Sequence, residues 1–200
     1  MNKYDIFPTP VWHIEGAPQQ LVDELYKGAY VCKESVESNV LSNQGGYQSP
    51  SFNWDQFHPE GIKYIDNILS SIVNTFPFRN LRSYEVQSWW YNINSKGDSN
   101  NPHTHPASDF ALVFYLTDTA HRLVFMNPNP RFVHSVISQD TNIPHTNKGD
   151  VIIFPADIIH YVLPNDKEDD RISISMNISL RDLRLYTKYG GDRESSITYS

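Results

Sequence analysis

A chain of 200 residues, 39% of them hydrophobic and 13% aromatic, is long enough to bury one core without disulfide or metal staples. Its net charge of -7 argues against broad electrostatic binding to nucleic acid, which needs a basic face to displace counterions from phosphates. No apolar stretch reaches the roughly 20 residues of a membrane-crossing helix. The first residues hold no continuous apolar signal, and the single Cys32 has no partner within the chain, so the expectation is a cytoplasmic protein without a membrane partner.

In chain order, Phe7 to Glu15 reads as an opening strand whose prolines keep its start off the middle of a sheet. A helix follows Pro18, with Leu21, Val22, Leu25, Ala29 and Cys32 at helical spacing on one face. Ser42 to Ser49 is turn chemistry and reads as a surface loop. From Pro59, the positions Ile62, Ile65, Ile68, Leu69, Ile72, Val73 and Phe76 repeat at three and four until Pro77 stops them. Both helices are expected on one outside face of a sheet. From about Leu81 the pattern changes to short β-type runs: Tyr84 to Ile93, Phe110 to Thr117, Arg122 to Met126, Phe132 to Ile137, Asp150 to Phe154, Ile158 to Leu163 and Arg171 to Leu180. No helical pattern interrupts them, which favours a jelly roll over a parallel α/β sheet.

The expected architecture is therefore mainly β with flanking helices, a double-stranded β-helix of the jelly-roll, cupin-like kind. One domain spans 1–200: a strand and helices over 1–80 pack on a core over 81–180, and a charged tail over 181–200 serves as a lid, a dimer arm or a disordered extension. A homodimer stays open as a state of assembly. There are no internal repeats and no glycine-rich phosphate loop, because Gly45-Gly46 and Gly190-Gly191 lack the strand and helix that such loops need.

The chemistry concentrates between Asn100 and Asp109. His103 and His105 stand two apart, and in an extended segment both rings point to one side, within reach of one cation. A third ligand must come from elsewhere, and His160, in a second strand-like run, is the best placed. Imidazole suits iron, zinc and copper, and three ligands on one face leave positions open for chemistry. In the last run Arg171, Ser173, Ser175, Asn177 and Ser179 alternate with Ile172, Ile174, Met176, Ile178 and Leu180. The plain reading is a strand with its polar side in solvent. In a ligand-holding barrel the same alternation aims Arg171 and Ser173 into the interior beside His160.

Taken together, Trp90-Tyr-Asn92-Ile-Asn94, Gly97-Asp98, His103-Thr-His105-Pro, Phe114-Tyr115-Leu116, Lys148-Gly149-Asp150 through Phe154-Pro155, His160, Pro164-Asn165 and Arg171-Ile-Ser173-Ile-Ser175 resemble the 2-oxoglutarate- and iron(II)-dependent oxygenases of the double-stranded β-helix fold. The likeness is to the subgroup in which His-x-His-Pro replaces the more usual His-x-Asp. Phe7-Pro-Thr-Pro and Ser42-Asn-Gln-Gly-Gly-Tyr are similar to that subgroup as well, so the resemblance covers most of the chain.

The resemblance implies Fe(II), 2-oxoglutarate and dioxygen as cofactor and cosubstrates, with His103, His105 and His160 on the metal. Arg171 would bind the C5 carboxylate of 2-oxoglutarate bidentately, and Ser173 would add a hydroxyl. Oxidative decarboxylation to succinate and carbon dioxide would accompany hydroxylation of a substrate. Because His105 stands where a carboxylate is usual, three arrangements remain open: His105 as the third ligand, which is preferred, Asp109 folding back, or water with His105 behind it. Asn92 and Tyr115 are further candidate contacts for cosubstrate, with packing as their plain reading. Ala111-Leu112, where relatives carry small polar residues or glycine, would alter the pocket wall. His13, His58, His121, His134 and His145 read as hydrogen-bonded structural residues, and an ion pair of Arg171 with Asp169 or Asp170 is the plain alternative to a cosubstrate role.

By the same analogy the substrate is a small molecule or a peptide or protein, with hydroxylation of a peptidyl or amino-acid side chain in the manner of prolyl hydroxylases. The acidic surface fits a peptide, a protein or a cationic small molecule better than nucleic acid. Two rival functions remain: a three-histidine cupin-type metalloenzyme without 2-oxoglutarate, and a non-catalytic jelly-roll binding protein.

Overall fold

The protein is described from a computed structural model, over residues 9–75, 81–119, 122–127, 141–142 and 146–182. Both expected helices form on the expected faces. Helix α1 spans Gln19–Ser35, with Pro18 extended just before it and Leu21, Val22, Leu25 and Ala29 buried. Helix α2 spans Pro59–Thr75 and buries Ile65, Ile68, Leu69, Ile72 and Val73. Proline at its first position removes an N–H that has no helical partner there. The expected stop at Pro77 lies outside the described residues.

The strands are β1 (Trp12–Ile14), β2 (Asn43–Gln44), β3 (Tyr47–Gln48), β4 (Leu81–Asn94), β5 (Ser99–His103), β6 (Phe110–Tyr115), β7 (Leu123–Phe125), β8 (Thr141–Asn142), β9 (Val151–Pro155), β10 (His160–Val162) and β11 (Arg171–Asp182). They form a larger sheet in the order β1-β9-β6-β11-β4-β3 and a smaller one in the order β2-β5-β10-β7-β8. Every pairing is antiparallel. These are the two sheets of a jelly roll. The run expected over Phe132 to Ile137 lies outside the described residues.

Two apolar layers explain why some strands alternate and others are apolar throughout. The outer layer joins the inward faces of both helices to Phe110, Leu112 and Phe114 of β6, Val151 and Ile153 of β9, and Ile172, Ile174, Met176 and Ile178 of β11. The inner layer takes Ala111 and Tyr115 of β6 and Ile152 and Phe154 of β9, against Leu123 and Phe125 of β7. β6 and β9 are thus covered on both sides, which accounts for their unbroken apolar runs. Each fully buried isoleucine contributes on the order of 2 kcal/mol. β11 spends one row on this core and is free to turn its polar row inward.

Ser42 to Ser49 is not the surface loop expected. β2 pairs Asn43 with Asn100 in the smaller sheet, and β3 pairs Tyr47 with Ile93 in the larger, so this segment steps from one sheet to the other. Asn43, Tyr47, Gln48 and Ser49 are buried. Polar burial is tolerated because Asn43 Oδ1 accepts the Leu41 N–H at 2.9 Å, while its Nδ2 donates to Asn39 O and Gly45 O at 3.2 and 3.3 Å. Gly46 makes the step possible: its φ is 68°, and a Cβ there would lie 2.9 Å from Ile93 O. No helix among the described residues is long and apolar enough to cross a membrane.

Candidate metal centre

Strand pairing brings the histidines together. His103 closes β5 and His160 opens β10, and the two are register partners. His105 lies beyond the end of β5, where its N–H donates to Ala156 O at 2.8 Å, so the chain stays extended against the end of β9 and its ring returns to the same side. The ligand nitrogens of all three lie within 4.8 Å of one another, and among the described residues this is the one such group. His105 Nε2 and His160 Nε2 are 3.2 Å apart. Trp90 lies over the His105 ring, with centroids 5.8 Å apart, and Phe154 packs edge-on against His160 at 4.7 Å.

The hydrogen bonds fix which nitrogen is free. His103 Nδ1 donates to Asn101 O at 2.7 Å and His160 Nδ1 donates to Ile158 O at 2.9 Å. A carbonyl can only accept, so the proton sits on Nδ1 and the Nε2 lone pair is left for a cation. Burial pushes His160 down to about 3 and His105 down to about 4, with the neighbouring histidines adding to the shift, and it lowers His103 as well. At neutral pH the cluster is three neutral imidazoles, the form that binds metal.

Asp109 does not fold back toward the histidines. The chain turns at Ala107, which has a φ of 64°, and the Asp109 carboxylate accepts the Leu180 N–H at 2.7 Å. The other histidines that are described have structural partners, His13 on Asp150 at 2.9 Å and His58 on Glu24 at 2.7 Å. His121, His134 and His145 lie outside the described residues.

The histidines border a cavity of about 610 Å³ between the two sheets, lined by the polar row of β11 and by β4 and β5. Arg171, Ser173, Ser175 and Asn177 all face it, as do Asn92, Asn94 and Tyr115. Arg171 is 7% exposed. Its Nη1 donates to Leu163 O at 2.9 Å, whereas its Nη2 is buried with no hydrogen-bond partner. Burial pulls the guanidinium down to about 10. Neither Asp169 nor Asp170 holds it in an ion pair; Asp170 instead accepts from Tyr30 and Ser95 at 2.9 and 2.7 Å.

Burial raises the Tyr115 phenol, which keeps its proton. Asn92 Nδ2 donates to Ser175 Oγ at 3.0 Å, so part of its capacity is already used. Ala111 and Leu112 do not line the cavity; Val113 does. Among the lining residues not proposed for the site from sequence, Arg122 and Asn177 carry the most polar chemistry. Arg122 follows residues with no chemical motif, and Asn177, whose Oδ1 is buried and unpaired, reads as one more polar position in an alternating strand.

The interior of the jelly roll thus brings together three converging imidazoles and a buried guanidinium with one free Nη2. Residues 88–177 match the sequence profile of the family described as "Putative 2OG-Fe(II) oxygenase". That stretch is thus similar to the 2-oxoglutarate- and iron(II)-dependent oxygenases, a family that uses Fe(II), 2-oxoglutarate and dioxygen. No curated protein sequence matches the chain. Among solved structures, a Pseudomonas putida prolyl-4-hydroxylase superposes with a TM-score of 0.61 at 14% identity, over 86% of this chain and 94% of that one. HygX from Streptomyces hygroscopicus, with nickel and 2-oxoglutarate bound, gives 0.60 at 12% identity over 86% and 83%. The viral collagen prolyl hydroxylase from Paramecium Bursaria Chlorella virus-1, a 2-oxoglutarate complex, gives 0.58 at 17% over 84% and 94%. At these identities the superpositions establish the fold.

Proposed function

We propose that the chain is an Fe(II)- and 2-oxoglutarate-dependent hydroxylase in which His103, His105 and His160 hold the metal and Arg171 anchors the cosubstrate. The observation that carries the reading is the unpaired, buried Nη2 of Arg171 in the same cavity as the three convergent histidines. A buried guanidinium N–H without an acceptor costs stability unless a ligand supplies one. A carboxylate does so, and it also offsets the cost of burying the charge.

The histidine set fits a divalent first-row metal, since three neutral nitrogens on one side leave coordination positions open. A bound metal would, with 2-oxoglutarate and dioxygen, supply the oxidising chemistry that couples decarboxylation to substrate hydroxylation. The chain's own part is positional. Asn101 O and Ile158 O keep two imidazoles in the ligating tautomer. Trp90 and Phe154 pack against the His105 and His160 rings. Arg171 and Ser173 set the far end of the cosubstrate, and Tyr115 remains a neutral donor beside them.

The rest of the cavity supports a peptide-type substrate. Among the described residues its lining contains no aspartate or glutamate, although the chain as a whole is acidic. Gln48, Asn94, Asn100 and Asn101 present amides suited to peptide N–H and C=O groups. At the rim Leu41 is 71% exposed and neighbouring Val40 is 81% exposed, apolar area outside the cavity that a chain extending past the reacting residue would cover. Two of the three similar structures described above are prolyl hydroxylases by name. An uncharged peptidyl side chain is accordingly favoured over the cationic ligand that net charge alone suggests.

The test is anaerobic titration of the Fe(II)-loaded protein with 2-oxoglutarate, which needs no substrate. The expected result is the weak visible absorption of a chelated 2-oxo acid, lost in Arg171→Ala while iron stays bound. Tight iron binding with no such absorption would exclude the cosubstrate assignment.

A further inference from the structure

Arg122 stands just before β7 and shares a backbone relay with Arg171. Its carbonyl accepts the Leu163 N–H at 2.9 Å, and the Leu163 carbonyl accepts Arg171 Nη1 at 2.9 Å. Both arginines line the metal cavity, and both also line a depression of about 620 Å³ on the far side, bounded by the loop 165–170. They are near enough for the positive charge of Arg122 to act against that of Arg171. This end of the cavity therefore holds two guanidinium groups; among the described residues no carboxylate lines the cavity itself, and the one paired with Arg122, Asp166, lines the depression on the other side.

We propose that Arg122 is a second cationic contact for the distal carboxylate of the cosubstrate, kept in position by Asp166 until that carboxylate arrives. The inference rests on the function proposed above. Arg122 forms an ion pair with Asp166; its own side chain is 20% exposed, whereas that of Asp166 is 64% exposed. A pair with one partner so open to solvent is weak and exchangeable, because water screens it and the exposed carboxylate is readily rehydrated. A cosubstrate carboxylate inside the cavity is screened less and meets the free Nη2 of Arg171 at the same time. The exchange is thus favourable: Arg122 leaves Asp166 for the ligand, and Asp166 returns to water. Asp166 acts as a built-in competitor that mimics the ligand's carboxylate.

The loop that presents Asp166 is anchored at both ends. Asn165 Nδ2 donates to Asn94 O at 3.0 Å and to Asp169 O at 2.9 Å, so release of the aspartate does not require the loop to unfold. The device also sets selectivity. Two guanidinium groups favour a 2-oxo acid with a second carboxylate over a 2-oxo monocarboxylate, beyond what Arg171 achieves alone.

The experiment is calorimetric titration of the anaerobic, Fe(II)-loaded full chain with 2-oxoglutarate and, separately, with 2-oxopentanoate, which lacks the distal carboxylate. Arg122→Gln is expected to weaken 2-oxoglutarate by about tenfold, the scale of one lost charge-assisted hydrogen bond. Asp166→Asn is expected to tighten it by about threefold, the scale of an exposed ion pair removed from competition. Neither variant should alter the affinity for 2-oxopentanoate. Wild-type affinity for 2-oxoglutarate in both folded variants, or equal changes for both ligands, would overturn the proposal while leaving the cosubstrate role of Arg171 intact. Should Arg122→Gln fail to fold, the sign of the Asp166→Asn effect decides. If the wild type does not bind 2-oxoglutarate at all, the proposed function falls, and this inference falls with it.

Discussion

Arg171→Met is expected to make the ligand-free protein more stable while removing its response to 2-oxoglutarate. The wild-type guanidinium is lowered from 12.5 to about 10 by burial. At about 1.4 kcal/mol per pH unit, that places the cost of the buried charge near 3 kcal/mol. The cost is undiminished at neutral pH, where arginine is protonated in both the folded and the unfolded chain. Methionine fills similar space without charge, but it leaves Leu163 O unpaired at a cost of about 1 kcal/mol. The net gain is about 2 kcal/mol, or roughly 5 °C in Tm for a chain of this size. Scanning calorimetry of both proteins, loaded with Fe(II) under anaerobic conditions and with or without 2-oxoglutarate, is the assay. The wild type should gain about 2.7 kcal/mol at a hundredfold excess over Kd, and the variant nothing. A ligand-free Arg171→Met that melts below the wild type, or one that keeps a full ligand-induced shift, would refute the argument that this residue is destabilising until it is liganded.

Three further outcomes follow from the same geometry. His105 is held down to about 4 and His160 to about 3, so the unfolded chain, with ordinary imidazoles near 6.5, takes up protons first as pH falls. Metal-free stability is thus full above about 6.5 and is lost as pH falls toward about 4, by up to about 1.4 kcal/mol per pH unit for each group. Urea unfolding across that window should show a shallower loss in His105→Asn, and an equal slope would exclude the assignment. Gly46→Ala should destabilise the fold by about 2 kcal/mol or more, because a side chain there takes a positive φ and presses on Ile93 O; the urea midpoint reads this directly. His103→Ala and His160→Ala should each abolish tight Fe(II) binding, whereas His105→Asp, which restores a carboxylate at the third position, should keep it. Retained tight binding in either alanine variant would show that the three-histidine set is misassigned.

Much of the chemistry was legible because it depends on spacing along single strands. His103 and His105 share a side by extended geometry, and the alternation of β11 separated its apolar row from its polar one, while leaving open whether the polar row met solvent or the cavity. The helices were equally plain, since six apolar positions of α2, from Ile62 to Val73, keep one phase. What stayed hidden depends on partners distant in sequence. Ser99–His103 contains two asparagines and a proline, poor material for a strand, and it becomes one only because β10 and β2 flank it. Ser42 to Ser49 looked like solvent chemistry because its buried amides are satisfied by backbone groups that no local pattern announces. Arg122 could not be told from any surface arginine, since its significance comes from Leu163 after β10 and from Arg171 at the start of β11 in the other sheet. Asp109 was weighed as a ligand on sequence proximity, but the turn at Ala107 commits its carboxylate to Leu180.

β11 lies between β4 and β6 and presents isoleucine and methionine to the helices on one side and Arg171 to the cavity on the other. Deleting or inserting one residue within it would exchange the two rows, driving Arg171 into the apolar layer and an isoleucine into the cavity. Substitutions on either row can be explored one at a time, but length cannot. Descendants of this gene can therefore diversify what they oxidise by reshaping loops around the mouth, while this strand is confined to point mutation and is closed to indels.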